Sequence, residues 1–156
     1  MVEGAGRRLE VPTHFADDDG TPPVHLRLAL ERYAVDATAR AEVVAALAVS
    51  RLLVPVVAVA DDDEPGEAHT EEKSSHMATV SLVQADGRRG LLAFTGTHTL
   101  ALWDPSARPV PAWGVDVAAA AIDEGAQGVL IDIAGPVRFA LDGDDLTRLA
   151  LSARGR

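Results

Sequence analysis

Cysteine is absent from the 156 residues. No disulfide, thiolate nucleophile or Cys-based zinc site is available to the chain. Aromatic residues make up only 4% of it, so a core must be built from Ala, Val and Leu, within the 47% that is apolar. Lysine is nearly missing as well: Lys73 stands beside thirteen Arg, a bias that fits high-GC bacterial coding. Long hydrophobic runs are also lacking. The longest strand-like run, Leu52 to Ala60, is interrupted by Pro55 and falls short of a membrane span. Residues 1–20 have no apolar segment of the kind that directs secretion. The expectation is a soluble cytoplasmic protein.

What is abundant is negative charge. The net charge is −10, and Asp61, Asp62, Asp63, Glu64, Glu67, Glu71 and Glu72, offset by Lys73, hold six of those ten charges in one segment. An acidic chain without a basic stripe argues against nucleic acid or an anionic membrane as partner. The length suits one domain.

Along the chain, residues 1–20 read as a flexible tail and 21–154 as the domain. Thr21 is placed to cap a helix with Pro22 and Pro23 in its first turn, and Leu26, Ala29, Leu30 and Tyr33 recur at helical spacing. Asp36 caps a second helix reaching about Val49, and the short link predicts a helical hairpin. Leu52–Val59 predicts a buried strand, with Pro55 requiring an edge or a bulge. Residues 61–75 predict an acidic loop. Asp86-Gly87 between two apolar runs predicts a hairpin with a type I′ turn. A short helix at Thr99–Trp103, a brief extended piece at Arg108–Pro111 and an Ala-rich helix over Val115–Glu124 follow, with Gly125 as its cap. Val129–Ile133 and Val137–Leu141 pair across Gly135-Pro136, and a last helix runs to about Ala153. The order predicts an α/β or α+β domain, its mixed sheet of about five strands covered by helices.

Several groups carry chemistry in principle. Thr95-Gly96-Thr97-His98-Thr99 forms a polar elbow able to receive an anion, although the more ordinary role of Thr95 or Thr97 is to cap the next helix. It is no phosphate loop, since no Gly-Lys-Ser/Thr follows it. His98 lacks an orienting partner in sequence. Asp61, Asp63, Gly66 and Glu72 fall on calcium-loop positions, but Pro65 replaces a ligand and a strand precedes them, so no metal is expected. Ser74, Ser75 and His76 lack the turn that activates a serine. Trp103 and Trp113 flank a Pro-rich link that contains Arg108. Trp103 follows core-like Leu100 and Leu102, whereas Trp113 suits a core or an interface. Asp132 and Arg138 either pair across their turn or line a pocket.

Leu53-Val54-Pro55-Val56-Val57, a charged gap and Lys73-Ser74-Ser75-His76-Met77-Ala78 form half of a familiar order. Leu92-Ala93-Phe94-Thr95, Leu102-Trp103-Asp104-Pro105, Arg108-Pro109-Val110-Pro111 and Gly135-Pro136-Val137-Arg138-Phe139 complete it. In these the chain resembles the SseB-family amino-terminal domain, in its high-GC bacterial form, over about residues 22–150. The family is named for enhanced serine sensitivity and linked with a sulfurtransferase, and it brings no catalytic residues to this sequence. Without cysteine the chain cannot carry a persulfide itself. With no catalytic constellation in the sequence, the expectation is a non-enzymatic module of this family type that binds a protein partner, needs no cofactor and uses a surface around Trp113, Trp103, Thr95, Thr97, His98, Arg108 and Arg138. The alternative is a small-molecule or anion binder at the elbow. Self-association stays open.

Overall fold

The apolar runs resolve into a seven-stranded mixed sheet in a computed structural model that describes residues 2–5, 15–60 and 75–154. The strands are β1 (Val2–Ala5), β2 (Arg51–Ala60), β3 (Ser75–Val83), β4 (Arg89–Ala93), β5 (Arg108–Trp113), β6 (Gly128–Ile131) and β7 (Phe139–Asp142). The α-helices are α1 (Val24–Val35), α2 (Arg40–Leu47), α3 (Thr97–Trp103), α4 (Gly114–Asp123) and α5 (Gly143–Arg154). Six strands run in the order β5-β2-β3-β4-β6-β7, while β1 joins β3 beside that path. All pairs are antiparallel except β4 with β6. The fold is a single mixed α+β domain, as the element order implied, with more strands than the five expected.

Both additions have a physical reason. Proline spoils the strand pattern of β5, yet the ladder parity accommodates it. Leu53 exchanges both backbone hydrogen bonds with Phe94 at 2.8 Å, so its amide faces away from β5. Pro55 has the same parity, and its missing donor falls where the outer ladder of β2 passes from Phe94 to β3 at Val56. Pro55 is therefore neither on an edge strand nor at a bulge. Opposite it, Pro109 and Pro111 face Pro55 and Leu53, which turns their missing donors outward on a terminal strand. β1 falls in the stretch read as tail: residues 2–5 pair with β3, and residues 15–20 are held against the domain as described below. The acidic segment 61–74 lies outside the described residues.

The helical hairpin is present, with differences at its caps. Pro23, not Thr21, precedes α1, and the Thr21 hydroxyl instead donates to Asp19 Oδ1 at 2.7 Å. Asp36 accepts from the Thr38 amide and caps a single 3-10 turn, Ala37–Ala39, before α2 begins. The β3–β4 turn is also changed. Gly87 has φ 88°, Asp86 does not share its left-handed backbone, and the Gly87 amide donates to Gln84. This is a three-residue loop with a glycine bulge rather than type I′. Gly125 ends α4 as anticipated: its φ is 78°, and Gly125 and Ala126 donate to Ile122 and Ala121 in a Schellman motif.

Two apolar clusters lie on opposite faces of the sheet. The larger one packs α1, α2, α4 and α5 against residues such as Leu52, Val54, Leu91 and Ile131. The smaller gathers Leu53, Val80, Leu92, Phe94 and Leu100 beneath α3. Between them the parallel pair β4 and β6 ends in the elbow.

Candidate functional site

The register of β4 with β6 sets Ala93 beside Ile131, so the residues just beyond those strands meet. Asp132 is one of them. It is 5% exposed, and its backbone adopts φ 54°, a left-handed conformation that non-glycine residues rarely take. Its amide donates to Ala93 O at 3.1 Å. Its carboxylate receives the Thr95 amide (2.8 Å) and Thr99 hydroxyl (2.8 Å) on Oδ1, and the Thr95 hydroxyl (2.6 Å) on Oδ2. Thr95 therefore ties the two strand ends together and does not cap α3. The cap position is Gly96, and no side chain bonds the first turn. Asp132 and Arg138 do not pair; Arg138 is exposed and Asp132 turns to the threonines.

A second lock holds the elbow from the other side. Arg51 is 7% exposed, a buried guanidinium at the start of β2. It grips Asp18 in two places, Nε to Oδ2 at 2.6 Å and Nη2 to Oδ1 at 3.0 Å. It also donates to the carbonyls of Thr95 (2.7 Å) and Thr21 (2.5 Å). Gly20, with φ 80°, receives the Thr97 amide on its carbonyl at 2.9 Å. Residues 15–23 thus form a strap laid across the elbow. Phe15 at its start packs against Trp113, with ring centroids 4.8 Å apart and the planes tilted by 55°.

Between strap, α1, elbow and the β6–β7 link lies an open cavity of about 260 Å³. Pro22, Leu30, Pro136 and Val137 give it apolar walls, and Thr95, Thr99 and Asp132 its polar floor. His98 lines it, as do Arg27 and Glu31, which form an exposed pair at 3.0 Å. Each threonine hydroxyl has one proton. Thr95 spends it on Asp132, and Thr99 has Asp132 and the more distant Gly96 carbonyl within reach. An anion at the elbow would need those protons.

The structure thus brings Thr95 and His98 to one cavity. Thr97 is exposed and directed to Gly20, with its hydroxyl 3.3 Å from that carbonyl. Trp103 is half-buried on Phe94, centroids 5.6 Å apart. Trp113 is half-buried against Phe15 and the larger core. Arg108 is exposed on β5 opposite Val56. Sequence reasoning missed Arg51, Asp18, Leu30 and Val137. Arg51 alone had a readable signal, a charge opening an apolar strand. The shifted carboxyls lie elsewhere, in turns: Asp19, Asp36, Asp86 and Asp104 are all held below the ordinary range. Hydroxyl and amide donors of Thr21, Thr38 and Ser106 do this for Asp19, Asp36 and Asp104, and the Arg88 amide leads for Asp86.

A wider groove of about 370 Å³ separates α1 from α2. At it, Ser50 donates to Ala46 O at 2.6 Å, so the His25 ring at 3.0 Å must supply Nε2–H to the serine oxygen. Among the described residues there is no group of three metal-ligating side chains, and no helix long and apolar enough to cross a membrane.

The architecture is that of a mixed α+β domain with one cavity at the ends of its parallel strand pair. The sequence pattern of the SseB protein N-terminal domain matches residues 26–148, and the chain belongs to that family. Among curated proteins and solved structures, none matches it.

Proposed function

We propose that the domain is a non-enzymatic module that binds a protein partner, with the elbow cavity as its anchor point. The observation that carries this reading is the cavity's make-up, an open hollow of about 260 Å³ with apolar walls at Pro22, Leu30, Pro136 and Val137 over a floor whose hydroxyls are committed to Asp132. A floor wired in this way is preorganised to hold a shape, and one large side chain of a partner suits the volume. Interfaces concentrate their energy in such desolvated anchors. Arg51 and the strap support the walls without lining the cavity themselves, apart from Pro22.

Val137→Trp fills the cavity from its half-buried wall. Affinity capture from the native lysate is expected to recover a partner with the wild-type chain and to lose it with this variant, at unchanged far-UV circular dichroism. Identical capture by both proteins would remove the cavity from the interface. Trp113→Ala is the companion variant, and its effect is expected to fall on stability, because the ring packs on Phe15 and the core.

A second reading is favoured by position. Ligands of α/β sheets gather beyond the carboxyl ends of parallel strands, and this cavity lies there. A small molecule bound at a hundred times its Kd adds about 2.7 kcal/mol of stability. A thermal-shift screen of metabolites distinguishes this reading from the first, which expects no shift.

A further inference from the structure

Asp132 is a buried carboxylate facing a cavity, and among the described residues its partners are neutral: two threonine hydroxyls and an amide. Buried charges are ordinarily paired with an opposite one. Of the basic side chains lining the cavity, Arg27 is bound to Glu31 and His98 is exposed at the rim, and neither bonds Asp132. Because the Thr95 and Thr99 protons point to Asp132, what those hydroxyls have left to offer is lone pairs. The floor therefore accepts hydrogen bonds and carries negative charge, while the Glu31 carboxylate on the wall is shared with Arg27. Pro22, Leu30, Pro136 and Val137 supply apolar walls.

We infer that the occupant of this cavity is an arginine or lysine side chain from a basic segment of the partner. Its aliphatic stem packs along the apolar walls while its cationic head donates to the floor. The inference rests on the reading of the cavity as a partner's anchor. It draws separate support from the net charge of −10, which steers a basic segment toward the domain at long range.

The test titrates wild-type protein, observed by amide NMR, with five probes: N-acetyl-arginine methylamide, its neutral citrulline isostere, N-acetyl-glutamate methylamide, free agmatine and a short Arg-containing peptide. The arginine probe is expected to shift the Thr95, Thr99 and Asp132 amides, and to bind at least tenfold more tightly than the citrulline probe. A short Arg-containing peptide is expected to exceed agmatine, which marks a protein as the source. The reverse order would assign the site to a free amine and overturn the partner assignment. Glu31→Gln and Thr99→Val should each weaken the arginine probe, and Val137→Trp should abolish its shifts. Equal or tighter binding by the glutamate or citrulline probe overturns the inference. So does arginine binding that survives Val137→Trp. If Val137→Trp abolishes partner capture while the arginine probe leaves the wild-type cavity untouched, the inference fails and the anchor reading stands.

Discussion

Two charged side chains decide how the elbow is held, and both are buried. Arg51 satisfies four acceptor atoms at once, two on Asp18 and the carbonyls of Thr95 and Thr21. Removing one member of a buried pair leaves the other stranded, at a cost of about 3–5 kcal/mol. Arg51→Met takes away the charge and keeps much of the stem. We expect it to lower the unfolding free energy by about 3 kcal/mol in urea, because Asp18 is more exposed than Arg51 and regains some water. The same variant should open residues 15–23 to limited proteolysis. An unchanged digestion pattern would show that the strap is held by other contacts. Asp132 imposes a different constraint: a left-handed backbone in a buried aspartate persists only where surroundings over-determine it. Here three donors do so.

At the scale of elements, the parts legible in the sequence were those governed by neighbours in the chain. The Schellman end of α4 follows from Gly125, the β3–β4 hairpin from Gly87, and the β6–β7 pair from two apolar runs around Gly135-Pro136. The unreadable parts depend on residues far apart. Nothing local reveals that Pro109 and Pro111 fit a strand; only the phase of Leu53 against Phe94 does. The cavity divides in the same way. Thr95 and His98 stood out because they share an elbow, whereas Leu30 and Val137 reach it from separate segments through tertiary packing. Gly114 is a further case. It starts α4 hard against the end of α2, where a Cβ would collide with the Leu47 carbonyl oxygen. Gly114→Ala is therefore expected to destabilise the domain by about 3 kcal/mol, at the upper end for overpacking, since a backbone atom cannot swing aside. Chemical denaturation measures it, and a loss below about 1 kcal/mol would mean that the helices slide apart easily.

For the whole molecule, acid is the vulnerable direction. The carboxyls of Asp19, Asp36, Asp86 and Asp104 titrate lower in the folded chain than in the unfolded one. Their contribution is present above the unfolded value and is lost as pH falls through the folded values. The thermal midpoint should thus decline below about pH 4. Asp36→Asn and Asp104→Asn together should make that decline shallower without steepening it at neutral pH. A midpoint flat down to pH 3 would show that these turns do not contribute. The prolines of β5 have a consequence at this scale too. A strand from another molecule laid along that edge would meet a carbonyl but no donor at Pro109 and again at Pro111. Fibril growth in that direction stops for want of rungs, so an apolar, β-rich chain can be crowded without that edge acting as a seed.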